Sequence, residues 1–498
     1  MTASSPRPKA SVRRAVIRWV RFLLLGLLIF VGLPLLAWGI VGLVLRYQGQ
    51  RELQTVLAEL EQKDPAWSWE SLQAGRPSVP PEQNVMELVQ RIGQQVYPFG
   101  KPPQTWDSHH PDWREYFSSV PPNHRWIPSA VQVVRSDLQK YPEAIPIVRS
   151  LKNYPRGSVN ITLETNPLAT RLEFAHYWGG VRELLGFDTL LALEEGDFRR
   201  AAGNIQAMFQ ISRVIGDTPF LITSLIAWGG YRLGVEKLEH WLAQDSAPEQ
   251  LEQVQRWLED VHDALKSDLG WRSERASHHL LFVALERGQV SIQDILGHDI
   301  PHGDWYAYQW LRASAWYRLP REHAYYLRAM TRWLEEVVHR PVEERLAAAR
   351  AFEESLQADP QASAAPLSGY FLRYTASRRL ATAQLHTLTL IRCAQVGLAC
   401  ERYRLKHQRW PDRLSDLTPE FLPQVPLDPF TGQPLRLTRT ADGIAIHSGA
   451  QQQEGVPPLQ GAYKTAGLPE GVLLGFRLWN PERRRQPPLP AEAPMRPK

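Results

Sequence analysis

Hydrophobic and polar positions alternate in three different ways along the chain. The first is no alternation at all: Phe22 to Leu45 is 24 residues without a charge. As a helix this run spans roughly 36 Å, against about 30 Å of membrane hydrocarbon. A cleaved signal peptide has an apolar stretch of ~7–15 residues followed by small residues at the cleavage site. Leu43-Val44-Leu45-Arg46-Tyr47 offers no such site. The pattern predicts an uncleaved transmembrane helix, with Pro34 tolerated near its middle and Trp19 and Tyr47 flanking it at the interfaces.

The second pattern has a helical period. Arg51–Leu60 continues the span as an amphipathic helix that Asp64-Pro65 ends. Residues 64–81 form a Pro-containing connector in which Trp67 and Trp69 can dock. Beyond Pro81, helical stretches are predicted over Glu82–Val96, Ala130–Lys140, Leu168–Glu194, Phe198–Ile215, Leu221–Leu242, Pro248–Lys266 and Val342–Leu356. Glu194-Glu195-Gly196-Asp197 joins two of them like a helical hairpin. It resembles one tetratricopeptide-type unit, but no second copy follows at a fixed period. From Pro366 to Pro411 no proline intervenes, and apolar residues surround much of the helical circumference. This reads as one central helical spine.

The third pattern is period two. Leu435–Arg439 and Ile444–Ser448 alternate around Thr440-Ala441-Asp442-Gly443, a strong hairpin signal. Val472–Leu478 is a plausible third strand. The predicted fold is mostly α, with a single N-terminal transmembrane helix and a small C-terminal α+β module containing an antiparallel hairpin. The chain divides into a basic tail (1–21), the span (22–45), a juxtamembrane helix and connector (46–81), a helical body (82–366), a long helix with the α+β module (367–480) and a disordered Pro/Arg tail (481–498).

Charge adds orientation. Of 57 Lys and Arg in 498 residues, seven lie in residues 1–46, where no acid occurs; the other 50 face 52 Asp and Glu. The body is therefore near neutral, which argues against nucleic acid as a partner. Six basic residues precede the span, so the positive-inside rule places the N-terminus in the cytoplasm and everything after Tyr47 outside the cytoplasmic (inner) membrane. No G-x-x-x-G occurs in the span, so no specific helix dimer is expected. Cys393 and Cys400 are seven residues apart on a predicted helix, too far for a bridge within it.

Residues 399–449 carry a resemblance. Tyr403 and His407 close a long helix, Trp410-Pro411 makes an aromatic-Pro step, and Leu414 and Leu417 fit a short helix. Asp428-Pro429-Phe430-Thr431-Gly432-Gln433-Pro434 leads into the hairpin, and His447-Ser448-Gly449 ends it. This arrangement resembles the major pseudopilin module of type II secretion. The whole chain is also similar in layout to an uncharacterised family of membrane-anchored bacterial proteins, through Asp64-Pro65-x-Trp67 and Pro80-Pro81-Glu82-x-Asn84. The pseudopilin resemblance implies a helix-to-sheet turn built on Asp428 and Gly432. Pseudopilins also carry a processed Gly-aromatic start and a calcium loop rich in acids. Residues 14–46 lack that start, and residues 450–455 hold one acid, Glu454.

Catalytic signatures are absent: no G-x-G-x-x-G, G-x-S-x-G, H-E-x-x-H, C-x-x-C or Walker A loop occurs. His298, Asp299, His302 and Asp304 are the best metal candidates, but Pro301 forbids the helical i,i+4 geometry that would join the two rings. Glu274 and His278 are an i,i+4 pair beside His279. Of 18 Trp, several (Trp178, Trp228, Trp241, Trp257, Trp333) fall within helical patterns and read as core. No catalytic, cofactor or metal residue is assigned. The expected function is binding or scaffolding by a membrane-anchored extracytoplasmic protein, linked to export or envelope assembly. Its expected partners are the bilayer, through the N-terminal helix, and a protein of the envelope. Two alternatives are a periplasmic hydrolase or metal enzyme using residues around 274–304, and a cell-wall glycan binder using exposed Trp.

Overall fold

The computed structural model describes residues 10–97, 111–159, 161–244, 248–296, 305–450 and 474–489. It is mostly helical, at 73%, with one small antiparallel sheet. The chain begins with α1 (Ala10–Leu27) and α2 (Leu33–Lys63), joined by a π turn over Leu28–Gly32. The wider turn directly precedes Leu33-Pro34, where proline lacks an N–H and its ring crowds the carbonyl four residues back. Helical geometry is continuous from Ile17 to Lys63, and the most apolar part of this helix is only 6% buried.

Then follow α3 (Trp69–Ala74), α4 (Val85–Val96), α5 (Pro111–Ser119), α6 (Pro128–Gln139) and α7 (Ala144–Ser150). Three long helices come next: α8 (Glu173–Glu195), α9 (Phe198–Gly216) and α10 (Leu221–Gln244). Gly196 at φ +78 ends α8, a conformation that costs glycine little, and the Asp197 side chain caps α9 through Arg200 N. The hairpin read from Glu194–Asp197 is therefore present. The helix expected over Leu168–Glu194 starts later, at Glu173, after a 3₁₀ turn at Pro167–Ala169.

The second half contains α11 (Leu251–Ala264), α12 (Leu269–Glu286), α13 (Ile292–Leu296), α14 (Trp305–Trp333), α15 (Arg345–Ala358), α16 (Pro360–Ala364), α17 (Pro366–Thr375) and α18 (Arg378–His407). The expected single spine is thus two helices. At the break Ser377 is extended, Trp271 Nε1 donates to the Thr375 carbonyl at 3.1 Å, and Arg378 N donates to Glu353 Oε1 at 2.7 Å. Side chains from distant helices satisfy the backbone groups freed by the break, so no local proline or glycine was needed.

A three-stranded antiparallel sheet closes the fold in the order β1 (Arg436–Thr440), β2 (Gly443–His447), β3 (Gly475–Trp479). The register pairs Leu437 with Ile446 and Ile446 with Phe476. Phe476 packs against Gly397 of α18. One contiguous core runs from Val56 through α10, α12, α14 and α18 to Leu478, and a second fills the space between α4, α6, α7, α8 and α9.

The disordered-tail expectation is corrected for residues 481–489. Arg484 is buried and donates to both carboxylate oxygens of buried Glu401 at 2.9 and 2.7 Å. Arg485 donates to the carbonyls of Leu193 and Glu194, and Gln486 N to the Asn123 carbonyl. A basic run reads as solvated by default; here buried acceptors on distant helices claim it.

Candidate functional site

Among the described residues, three places hold chemistry-bearing side chains. The first is the Asp428 turn. Asp428 is fully buried. Its carboxylate accepts from Phe430 N (3.1 Å), Thr431 Oγ1 (3.0 Å), Ser448 Oγ (2.8 Å) and Gly449 N (2.9 Å). One side chain thereby closes the turn and ties it to the end of β2. Gly432 sits at φ +67, and its N–H donates to the Asp428 carbonyl at 2.9 Å. Four donors from the turn and the end of β2 fill the acceptor sites of the carboxylate, which makes it a structural clasp.

The second is a histidine cluster between α12 and α14. A carboxylate and a ring one turn apart on α12 bring Glu274 Oε2 and His278 Nδ1 to 3.2 Å. The His278 ring stacks on Tyr326 with centroids 5.0 Å apart. The next residue, His279, faces the other way: its Nδ1 lies 2.9 Å from Nε2 of His323, whose Nδ1 lies 3.3 Å from Glu286. Trp67 covers His279 and Phe282 stacks on His323. Burial pushes His279 down to about 3 and lowers His323 as well. Both rings are therefore neutral at pH 7, one donating and one accepting. A Glu–His–His line can hold a tautomer and pass a proton. Among the described residues, however, neither ring hydrogen-bonds a Ser, Thr or Cys that could act as a nucleophile. No group of three or more His, Cys, Asp or Glu there could hold a metal ion. His298, Asp299, His302 and Asp304 lie outside the described residues, as do His109 and His110.

Beside this cluster, Glu322 is buried. It accepts from Ser368 N at 2.9 Å, with Arg318 at 3.8 Å. Burial outweighs both and raises its carboxyl to about 7. Sequence reasoning missed Glu286, Glu322 and His323. Glu286 and His279 of α12 meet His323 of α14, and Ser368 of α17 meets Glu322, at separations no local pattern encodes.

The third place is a cavity of about 160 Å³ between α4, α6 and α8, lined by Tyr97, Val134, Leu138, Tyr141, Glu183 and Phe187 among others. The Tyr97 hydroxyl donates to Glu183. Burial first and this carboxylate second push the phenol well above its ordinary range.

Other singled-out residues are structural. Asp64 caps α2 and accepts from Arg272 (2.6 Å) and Arg275 (2.5 Å). Asn84 caps α4 and exchanges hydrogen bonds with the Ser158 backbone. Cys393 and Cys400 are fully buried, which pushes both thiols up. Trp178, Trp228, Trp241 and Trp333 are core residues, and Trp257 packs partly buried against the core. Among the described residues, the exposed indoles are Trp19, Trp38 and Trp310, which lie on the spanning helix or near it. No family model, no characterised protein and no solved structure matches the chain.

Proposed function

We propose that this chain is a single-pass, membrane-anchored, extracytoplasmic scaffolding or binding protein whose C-terminal module is pseudopilin-like. One observation carries the reading: a helix long and apolar enough to cross a membrane runs without a break into the packed core. The large apolar side chains from Phe22 to Leu25 and from Ile29 to Val41 are exposed. The same helix then buries Gly42, Gly49, Val56 and Leu60 against the body. An anchor coupled this rigidly suits a protein that holds a partner at a fixed height and orientation over the bilayer. The clasped Asp428–Gly432 turn, a long preceding helix and a three-stranded antiparallel sheet support the pseudopilin-like reading of the end module. The expected placement has the N-terminus in the cytoplasm. A phosphatase reporter fused after residue 63 should be active and a cytoplasmic fluorescent reporter dark; the reverse pattern would refute the placement.

A further inference from the structure

The helix α14 runs beside α2 in the same direction. Trp38 meets the rings of Trp316 and Tyr317 edge-on, with centroids 5.9 and 6.1 Å away. Trp316 also fills the space that a side chain at Gly42 would need, and the Arg46 guanidinium donates to the Trp316 carbonyl. Further along, Gly49 touches Pro320 and Arg321, Glu52 pairs with Arg328 at 2.8 Å, and Lys63 pairs with Glu335 at 2.9 Å. Moving toward the N-terminus of either helix is therefore moving toward the bilayer.

The first half of α14 continues past the last of these contacts. From Trp316 to Trp310 is six residues, roughly 9 Å of rise. The same rise on α2 leads from Gly42 to Leu36, well inside the apolar run. Trp310 and Tyr317 are seven residues apart, within about 20° of the same helical face, and Tyr317 meets Trp38 together with Trp316. Yet Trp310 is 56% exposed, and Ala313 between them is exposed too. The opposite face is occupied, since Tyr308, Leu311 and Ala315 pack on the body core. Arginines lie over the aromatic rings here: Arg318 is 4.3 Å from the Trp310 centroid and Arg312 is 5.6 Å from that of Tyr308. An exposed indole with an apolar body suits the headgroup boundary, where indoles concentrate.

We propose that the first half of α14, Tyr308–Tyr317, is a second membrane contact. It enters the outer-leaflet interface beside α2 and seats the helical body on the bilayer. This rests on the reading of α1–α2 as a membrane span. Trp38, in place of the Tyr47 expected from the sequence, then marks the outer interface: it lies 19 residues, roughly 28 Å, from Trp19, close to the hydrocarbon thickness, and the body does not swing on a tether. The occupant of the bare α14 face is lipid, because that face continues the lipid-facing surface of α2.

The test uses the full chain reconstituted in vesicles of phosphatidylcholine with a minority of phosphatidylglycerol. Nitroxide labels are placed through Trp310→Cys, Ala313→Cys, Phe30→Cys and Tyr374→Cys, one at a time. Cys393 and Cys400 are fully buried, so labelling goes to the new thiol. Collision with oxygen reports lipid exposure, and collision with a water-soluble nickel chelate reports water. Positions 310 and 313 should favour oxygen over nickel, though less strongly than position 30 nearer the middle of the span, whereas position 374 on exposed Tyr374 should favour nickel. Labels at 310 and 313 that follow 374 while 30 stays oxygen-accessible would overturn the seat and leave the anchor standing. A nickel-accessible label at 30 would overturn both.

Discussion

Gly432 shows how one residue sets a path. At φ +67 its backbone adopts a shape that a β-branched residue enters only at a cost of order 1–3 kcal/mol. Gly432→Val should lower the melting temperature clearly, whereas Gln433→Ala, at an exposed neighbour, should leave it unchanged; thermal melts of the two variants decide this. Glu322 makes the matching case for charge. Its carboxyl rises from 4.5 to about 7 because burial disfavours the ionised form. A raised value means that the folded state prefers the neutral acid. The stability so gained is complete below pH 4.5 and is lost as pH climbs through 7, by on the order of 3 kcal/mol. Glu322→Gln keeps the side chain neutral at every pH. The variant should match the parent near pH 4 and exceed it at pH 8 in denaturant unfolding. His279 and His386, lowered to about 3 and about 4, act in the opposite sense: they cost stability as pH falls below 6.5. Both proteins carry them, so they cancel in the comparison.

Among the elements, the pairing of α2 with α14 depends on close approach. Gly42, Gly49 and Val56 are seven residues apart and share one face, as do Leu60 and Leu53 one turn on. A Cβ at Gly49 would stand 3.0 Å from the Arg321 backbone nitrogen. Backbone cannot yield as a side-chain tip can, so Gly49→Leu should cost about 1–3 kcal/mol. It should also open the α2–α14 seam to protease. Gly26→Leu, with nothing within 4 Å, should do neither. The absence of G-x-x-x-G in the span was read from sequence as the absence of a helix partner in a dimer. The glycines at Gly42 and Gly49 instead accommodate a helix of the same chain nearly three hundred residues away.

Across the whole molecule, residues 484–486 bind distant parts together. Glu401 lies buried in α18, where burial alone would raise its carboxyl; bonds from Arg404 and Arg484 bring it below its ordinary range. Removing one partner leaves a buried charge short of compensation, a loss of ~3–5 kcal/mol in comparable sites. Arg484→Ala should fall toward the lower end, because Arg404 remains at 2.7 Å. Exposed Arg483→Ala should stay within about 0.5 kcal/mol. Equal losses from both would show that the tail contributes only general charge. Arg485 and Gln486 reach α8 and Asn123 from the same segment. This segment thus fastens the first half of the body to the second.

Period and turn chemistry are local properties, and they were legible. The bare apolar helix, the α8–α9 hairpin at Gly196, the β1–β2 hairpin at Asp442-Gly443 and the left-handed Gly432 all follow from residues within a few positions of one another. Tertiary structure decided whatever depends on a distant partner. It broke the spine at Ser377, because Trp271 and Glu353 take up the freed backbone groups. It ordered Arg484, because Glu401 offers a buried acceptor. It paired His279 with His323, because α12 and α14 lie side by side. It gave the span a companion helix, because Gly42 leaves room for Trp316. Hydrogen bonds and packing act over a few ångströms of space, whereas sequence records only distance along the chain.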